Sequence, residues 1–415
     1  MLKIRNIREH YKMKKKFTIL TVSLIMGVVL SLVGATLISR AAPEPMARKI
    51  VVFKSDTDEP TKENLIKKFG GEKIKNLNLI NAKTARLTSK SEKALAQHPD
   101  VLRIDDDVIV EALVRPDAEK IKANRTPTSQ PLETLPWGID KIDAELVWPL
   151  GNTADLIKVA IIDTGIDVKH PDLINNLKGG VSAVQYTTSY NDDNGHGTHV
   201  AGIVAATDNT IGVIGVGSQI DLYAVKVLDR RGSGYLSDVI EGLDWAIANN
   251  MQVVNMSLGT SADILSLREA VQRVNAAGIV QVAAAGNDGG AVIYPAAYPE
   301  VIAVSATDSS NNIASWSNRG PEIDLAAPGV NIYSTYKGQT YKILSGTSMA
   351  APHVAGAAAL VLNTPVGSYD TNINGKWDPI EVQQKLQDRA VNLGATGFDS
   401  LYGWGLVNAY NAVQP

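Results

Sequence analysis

The chain of 415 residues contains no cysteine, only four phenylalanines and only six histidines. Without thiols it can form neither disulfides nor thiolate metal sites, and a cysteine nucleophile is excluded. Forty basic and 43 acidic residues leave a formal net charge of −3, so no excess of positive charge indicates a nucleic-acid partner. What remains is an ordinary globular composition, 45% hydrophobic with 34 glycines, and long enough for one large and one small domain.

A long apolar run, from Phe17 to Ile38, lies near the amino terminus and follows lysines at positions 12 and 14–16. A basic region followed by an apolar segment is typical of an export signal. The run approaches the roughly 20 residues needed to cross a bilayer, so residues 1–42 are predicted to be either a cleaved export signal or a signal anchor. In both cases the rest of the chain is expected outside the cytoplasm.

Residues 43–114 contain short segments that alternate between strand and helix patterns. Strands are predicted at Lys49–Lys54, as a pair within Leu77–Leu87, and as one or two within Val101–Leu113; helices are predicted at Thr61–Phe69 and Ser89–His98. A β-α-β-β-α-β order is that of a small, ferredoxin-like α+β domain. Residues 115–132 are polar, contain prolines and lack periodicity, which predicts an exposed linker where proteolysis concentrates.

Residues 133–415 predict one large α/β domain. Its strands are short, continuous apolar runs, as expected for strands buried on both faces of a parallel sheet. They are Lys158–Asp163, Leu222–Val227, Gln252–Met256, Ile279–Ala283 and Val301–Ser305. Helical spacing occurs in Leu236–Asn249, Ser261–Ala277, Thr347–Leu362 and Pro379–Asn392. This alternation indicates a doubly wound parallel sheet, in which sites gather beyond the carboxyl ends of the strands.

Ser348 lies in the segment S-G-T-S-M-A-A-P-H-V-A-G, at the start of an alanine-rich helical run. Thr347 or Ser348 is an ordinary N-cap candidate. A serine at a helix start is also a nucleophile candidate, because the N–H groups and the positive end of the helix dipole favour an oxyanion there. A hydroxyl is a weak nucleophile, so this second interpretation requires a histidine base and a group that orients the histidine.

Three polar residues elsewhere in the chain meet that requirement. Asp163 ends an apolar strand, His196 lies between glycines in N-G-H-G-T-H-V-A-G, and Asn287 follows the run V-A-A-A-G. Each also has a simpler interpretation, as a turn or helix cap, a structural histidine and a turn asparagine respectively. A zinc site at His196 and His199 is disfavoured because no further ligands lie nearby, and His199 is expected to be structural.

With this order of Asp, His and Ser, the sequence resembles the subtilisin-like serine proteases over nearly everything after Leu135. The resemblance rests on the segments I-I-D-T-G-I-D, N-G-H-G-T-H-V-A-G, N-M-S-L-G, A-A-A-G-N-D-G and S-G-T-S-M-A-A-P-H-V-A-G. It implies that Asp163 orients and stabilises His196, which is general base and then general acid. By the same resemblance Ser348 is the nucleophile and Asn287 is the oxyanion donor.

The resemblance also implies a cleft that binds an extended peptide as an added strand between two walls. The walls are formed by Ser257, Leu258 and Gly259 and by Gly232, Ser233 and Gly234. The first domain is similar to the inhibitory, folding-assisting propeptide of these proteases, whose carboxyl-terminal tail occupies the cleft until it is cut. Because parallel sheets fold slowly, such a template has a physical rationale. Self-cleavage is expected between Leu113 and Glu133.

Residues 370–381 match the calcium-loop pattern D-x-[DN]-x-[DN]-G-x5-E at every specified position, with Gly375 at the sharp turn. The predicted ligands are Asp370, Asn372, Asn374, the carbonyl of Lys376, Asp378 through a water, and Glu381. The alternative is a polar turn in which Asp378 or Glu381 complements the dipole of the following helix. Because few of the ligands are carboxylates, a weak affinity of about 10⁻⁴–10⁻³ M is expected.

A second calcium site is implied by the resemblance alone. Its ligands are Asp172, the side chain of Asn209, the carbonyls of Thr207, Ile211 and Val213, and Glu133. Glu133 stands where the family has a glutamine, a departure that keeps an oxygen ligand and adds a charge.

The sequence therefore predicts an exported, calcium-stabilised serine endopeptidase that is made as a zymogen and acts on proteins or peptides. A membrane association is expected only through an uncleaved amino-terminal segment. Two alternatives stay open, a catalytically silent peptide-binding homologue and a membrane-tethered maturation protease with one precursor. The cleavage specificity is not predicted, because Asp288 favours a basic substrate side chain whereas Ile293 narrows the primary pocket.

Overall fold

The computed structural model describes residues 44–114 and 130–415. The predicted export segment and most of the predicted linker lie outside the described residues. Residues 46–415 form one compact unit. Within the described part of the chain, no helix combines the length and the apolar character needed to cross a bilayer.

Residues 46–106 form a four-stranded antiparallel sheet with two helices, in the predicted β-α-β-β-α-β order. These elements and the strand that follows them are β1 (Ala47–Phe53), α1 (Glu59–Lys68), β2 (Glu72–Leu77), β3 (Ala82–Leu87), α2 (Ser89–Leu95), β4 (Val101–Asp106) and β5 (Ile109–Ala112). The order of the strands in the sheet is β2-β3-β1-β4.

Strand β2 begins five residues earlier than the strand pair predicted within Leu77–Leu87. It is an edge strand with the sequence E-K-I-K-N-L. Charged residues are typical of exposed edges, where they discourage pairing with another chain. The same charges hide the alternation of apolar residues by which a strand is predicted.

The rest of the chain alternates strands and helices, as predicted for residues 133–415. In chain order they are α3 (Trp137–Lys141), β6 (Lys158–Asp163), β7 (Leu177–Ser182), α4 (His196–Ala205), β8 (Asp221–Lys226), β9 (Ser233–Tyr235), α5 (Leu236–Ala248), β10 (Val253–Met256), β11 (Leu258–Gly259), α6 (Leu265–Ala276), β12 (Val280–Ala284), β13 (Ile302–Thr307), β14 (Leu325–Pro328), β15 (Ile332–Tyr336), β16 (Thr340–Leu344), α7 (Thr347–Leu362), α8 (Pro379–Asp388) and α9 (Ala409–Val413).

Seven of these strands form one parallel sheet in the order β14-β13-β12-β10-β6-β8-β7. The α/β fold class is confirmed, and the five predicted strands are five of the seven. The two strands that were not predicted, β7 and β14, are the edges of the sheet. One carries a glycine pair and the other ends in proline, and neither feature is typical of a buried strand.

Side chains of the central strand alternate between two apolar layers. Val159 and Ile161 of β6 pack in a cluster with α4 and α7, whereas Ala160 and Ile162 pack in a cluster with α5 and α6. Because successive side chains of a strand point to opposite faces, each face of the sheet is covered by its own helices. This double cover leaves the carboxyl edge of the sheet open for a site.

The first domain packs by the same alternation. Val51 and Phe53 of β1 lie against α1 and α2, whereas Ile50 and Val52 join the apolar cluster of α5 and α6. The small sheet therefore covers the outer faces of two helices of the large domain.

Two carboxylates of the first domain cap these helices. Asp107 accepts hydrogen bonds from the amide of Ser237 at 2.8 Å and from Nε of Arg48 at 2.8 Å. Asp105 accepts from the amide of Ser266 at 3.1 Å. Negative charge at a helix amino terminus satisfies free N–H groups and complements the dipole, so these contacts hold the first domain in one orientation.

We predict that Asp107→Ala lowers the free energy of unfolding of the whole chain by about 3 kcal/mol, because it leaves the buried Arg48 without its carboxylate and the Ser237 amide at the start of α5 without its acceptor. The measurement is urea denaturation of a chain that also carries Ser348→Ala, to keep it in one piece. Asp106→Ala is the matched control. Asp106 is exposed and pairs with Lys49, so its loss should cost less than about 1 kcal/mol. Equal effects of the two variants would contradict the capping role.

Candidate active site

Asp163 and His196 meet at the carboxyl edge of the sheet. Asp163 is the last residue of β6 and His196 the first of α4. Nδ1 of His196 lies 2.8 Å from Oδ1 and 2.9 Å from Oδ2 of the carboxylate, and both side chains are buried. A carboxylate at Nδ1 holds the proton on that nitrogen and leaves Nε2 as the acceptor, which is the arrangement a general base requires.

A polar network that was not predicted from the sequence fixes the two loops that carry this pair. Oγ1 of Thr164 accepts from the amide of Gly197 at 2.9 Å and donates to Asp192 at 3.0 Å. Asp192 also accepts from the amide of Thr198 at 3.0 Å and from its hydroxyl at 2.6 Å, so it caps α4. Burial raises the pKa of Asp192. The sequence feature that indicates such a cap is an aspartate shortly before the start of a helix.

Ser348 is the second residue of α7 and is fully buried. Its hydroxyl donates to the carbonyl of Ser257 at 2.9 Å. Among the described residues, Nε2 of His196 has no hydrogen-bond partner, so the hydroxyl and the imidazole are not joined in this structure. Such bonds are often loose before a substrate is aligned, and tighten in the reacting complex.

The helix-cap interpretation of Thr347 or Ser348 is wrong, because the N-cap of α7 is Gly346 and both residues lie inside the helix. Thr347 instead supports Asn287. Its amide and its hydroxyl both donate to Oδ1 of Asn287 at 2.9 Å. This fixes the orientation of the Asn287 amide group, whose nitrogen then points away from α7.

The nitrogen of Asn287 donates to the carbonyl of Leu113 at 2.6 Å. Gly346 also borders this carbonyl, since a Cβ at that position would lie 2.5 Å from the Leu113 oxygen and 3.3 Å from the Asn287 nitrogen. Only a glycine leaves room for the carbonyl here. Leu113 was predicted as a limit of the cleavage range, and the position of its carbonyl was not predicted.

The residues predicted to line the cleft all lie along the strand that leads to Leu113. Strand β5 is the middle strand of a three-stranded antiparallel sheet, β11-β5-β9. Its register pairs Ala112 with Leu258 and Glu111 with Gly259 and Ser233. The remaining contacts of the two predicted walls are Val110 with Gly234, the amide of Ala112 with the carbonyl of Gly232, and the amide of Leu113 with the carbonyl of Ser257.

His199 lies one turn inside α4 and contacts two backbone carbonyls, Ile332 at 3.1 Å and Lys342 at 3.0 Å. Burial lowers its pKa to about 3, which keeps the ring neutral. Its contacts are those of a structural histidine. In the described ranges, no group of three or more His, Cys, Asp and Glu side chains is arranged to hold a metal ion.

In the predicted calcium loop, polar side chains converge on a tight turn. Asp370 accepts from the amides of Asn374 and Gly375 at 2.9 Å, and Asp378 accepts from the side-chain amide of Asn374 at 2.9 Å. Glu381 is buried and accepts from the amide of Asp378 at 3.0 Å, which completes a capping box at the start of α8. The helix-cap alternative is therefore present in this structure, and it occupies the carboxylate expected at the last ligand position.

The residues of the second calcium site surround a buried carboxylate. Asp172 is fully buried and accepts from the side-chain amide of Asn209 at 2.7 Å and from the amide of Val213 at 2.9 Å. Glu133 accepts from the amide of Asn209 at 2.7 Å. Burial raises the pKa of Asp172 to about 6 and also raises the pKa of Glu133. Thr207 and Ile211 border the same turn, bonded to Asp172 and to Asn209 respectively.

A family model described as the subtilase family matches residues 155–405. The chain belongs to the subtilase family. It is 39% identical to subtilisin E of Bacillus subtilis over 413 residues, which cover 97% of this chain and all of that protein. It is 47% identical to subtilisin Savinase of Lederbergia lenta over 283 residues, 68% of this chain and all of that protein. It is 44% identical to the minor extracellular protease Epr of Bacillus subtilis over 317 residues, 76% of this chain and 47% of that protein.

The subtilase is thus a serine endopeptidase. The matched region contains Asp163, His196, Asn287 and Ser348, whereas the first domain lies outside it. Asp163, Ser257 and Asn287 lie at or just after the carboxyl ends of β6, β10 and β12, which are neighbours in the sheet. His196 contacts Asp163, and Ser348 contacts Ser257. The open carboxyl edge of the sheet is what brings them together.

We predict that Asn287→Leu lowers kcat of the subtilase on a chromogenic peptide by about 10²–10³ and leaves KM nearly unchanged, because the donor acts on charge that develops only in the transition state. The exposed Asn312→Leu is the matched control and should retain the wild-type kcat. A loss confined to KM would show that Asn287 binds the ground state and is not an oxyanion donor.

Proposed function

We propose that this subtilase is an exported endopeptidase made as a self-processing zymogen, with Asp163, His196 and Ser348 as the catalytic triad. The proposal rests on one contact, the hydrogen bond of 2.6 Å from the Asn287 amide to the Leu113 carbonyl. That carbonyl ends a strand that pairs with both walls of the cleft. A peptide carbonyl against a fixed donor, beside a buried serine, is what acyl transfer requires.

In the proposed reaction Oγ of Ser348 attacks the peptide carbonyl while Nε2 of His196 takes its proton. Asp163 stabilises the imidazolium that forms, and Asn287 donates to the oxyanion. His196 then gives the proton to the leaving amine, and the acyl group stays on the serine. Water attacks the ester by the same route and releases the acid.

The substrates are extended peptides. A peptide that adds a strand between β9 and β11 gains main-chain hydrogen bonds on both of its edges, which an ester or a small amide would not. Pockets for alternate side chains then select the sequence. The competent residues at all four catalytic positions argue against the catalytically silent alternative.

The first domain is the inhibitor of the same cleft. While β5 lies between β9 and β11, it occupies the position of an added strand between the two walls. The contacts of Asp105 and Asp107 with α5 and α6 hold it there. These contacts with the two helices also support a role of the first domain in folding, because a helix whose apolar face is not packed is only marginally stable.

Export is supported by the similarity to the minor extracellular protease Epr and by the basic and apolar pattern of residues 1–42. Whether that segment stays attached decides between a free and a tethered enzyme. Fractionation of cells into supernatant and membranes, followed by the mass of the protein in each, distinguishes the two forms.

Calcium fits the residues around Asp172. Two carboxylates that burial holds at a raised pKa are stabilised in their charged form by a cation, and the carbonyls of the same turn supply the oxygen ligands that calcium prefers. The loop 370–381 offers a second set of oxygens. Calcium at Asp172 would hold the segment around Glu133 against the turn that contains Asn209, and so stabilise the fold.

Replacing Ser348 by alanine should leave the chain uncut, because the proposed reaction has no nucleophile without this hydroxyl. The readout is the mass of the protein after folding, and the control is Ser345→Ala, which keeps the triad. Normal processing of the Ser348→Ala chain would contradict the assignment of Ser348 to the catalytic triad.

Calcium should stabilise the subtilase more at neutral than at acid pH. Because burial raises the folded pKa of Asp172 to about 6, its contribution to the stability of the calcium-free protein is present at low pH and lost as the pH rises through that value. Calcium binds the charged carboxylate. The calcium-dependent rise in Tm should therefore grow between about pH 5 and pH 7, reaching roughly 5–10 °C.

Thermal unfolding with calcium and with a chelator, at both pH values, measures this effect. In Asp172→Asn the increment should be small and independent of pH. In Asp370→Asn it should keep its pH dependence. An increment in the wild type that is the same at both pH values contradicts a calcium site at Asp172.

A further inference from the structure

We propose that Leu113–Val114 is the first bond that the subtilase cuts in its own chain. The proposal rests on the function proposed above and selects one bond from the range between Leu113 and Glu133. The cut places the new carboxyl terminus at the end of the strand that blocks the cleft.

The register of β5 is fixed by backbone hydrogen bonds along its whole length. The carbonyl of Val108 accepts from the amide of Leu236 at 2.9 Å, and Asp107, the residue before Val108, accepts from the amide of Ser237. Further on, the amide of Ala112 donates to Gly232 at 2.9 Å and the amide of Leu113 donates to Ser257 at 3.2 Å. Each residue before the carbonyl therefore has a defined partner.

Side-chain burial excludes a slip of this register. Val110 is 1% exposed and joins the apolar cluster of the large domain, whereas its neighbours Ile109 and Glu111 are exposed. Moving the strand by one residue would turn Val110 to solvent and bury Glu111. No neighbouring carbonyl can therefore replace that of Leu113 without this cost.

The Leu113 carbonyl also lies where a reacting carbonyl is needed. It accepts from Asn287 at 2.6 Å, and Gly346, two residues before Ser348, lies against it and against Cα of Val114. The bond on the carboxyl side of this carbonyl joins Leu113 to Val114. Val114 is 37% exposed, so its amine is free to leave.

The segment next to Glu133 is hydrogen-bonded to a different part of the large domain. The amide of Gly212 donates to the carbonyl of Pro131 at 2.9 Å, and the amide of Thr134 donates to the carbonyl of Gly212 at 2.9 Å. The start of the large domain is thus already in place while Leu113 is in the cleft.

In the first step Oγ of Ser348 bonds to the carbonyl carbon of Leu113, the bond to the nitrogen of Val114 breaks, and the serine proton passes through His196 to that nitrogen. Water then hydrolyses the ester, which leaves a carboxylate on Leu113 and restores the hydroxyl of Ser348. The large domain keeps residues 114–129 as an amino-terminal extension ahead of Gln130. A later cut in the extension is a separate event.

Intact-mass analysis of the full chain, quenched with acid at successive times after folding starts, tests the proposal directly. The first products should be one fragment that ends at Leu113 and one that begins at Val114. A first product that ends at any residue from 114 to 132 would overturn the assignment.

Val114→Pro gives an independent test. A proline after Leu113 removes the N–H of the leaving group and restricts the backbone, so the cut should slow by about 10² or more. Asn124→Pro in the linker is the matched control and should be cut at the wild-type rate. Equal rates for the two variants overturn the assignment, and the thermal unfolding of Val114→Pro, compared with Ser348→Ala, shows whether it is folded.

The two proposals fail in different ways. If the bond is wrong but the enzyme is right, the wild type is processed at another bond and Ser348→Ala stays intact. If the triad is wrong, Ser348→Ala is processed like the wild type, whichever bond is cut.

Discussion

The placement of β5 between β9 and β11 is the constraint on which the rest of the site depends. One strand is bonded on both edges, and its register is fixed at one end by the cap at Asp107 and at the other by Asn287. A single extended peptide therefore joins two domains and defines the position of one carbonyl. That carbonyl is surrounded by the wall residues, Gly346 and the amide of Asn287. The bound strand therefore shows which group each of these residues contacts.

The position of Ser348, the proposed nucleophile, is fixed by the core and not by a loop. All residues of α7 from Thr347 to Val361 are buried, and the helix packs against the central strands of the sheet. A side chain in the first turn of such a helix cannot shift without repacking the core. His196 gains the same precision differently. It begins a helix whose first turn is capped by Asp192, and Thr164 ties that turn to the end of β6.

Much of this could be predicted from sequence because buried parallel strands are continuous apolar runs. β6 was predicted with its observed ends, and α7 likewise. The edge strands β7 and β14 were not, since glycine, lysine and proline are tolerated where a strand has only one neighbour. The apolar residues of β5 predict a strand but contain no information about its partners, which belong to the other domain. Nor could contacts such as that of Thr347 with Asn287 be predicted, because they join residues far apart in the chain.

Cutting one bond removes none of the contacts that hold the first domain. It shares an apolar cluster with α5 and α6 through Ile50 and Val52 of its sheet and Val110 of β5, and Lys75 pairs with Asp238 and Glu241. Its own core is a single small cluster around Phe53, and domains of this size are marginally stable when alone. In the proposed zymogen the bound domain is stabilised by the enzyme and inhibits it. Release is therefore governed by the stability of the first domain and by these interface contacts, and the cleft opens only when they are lost.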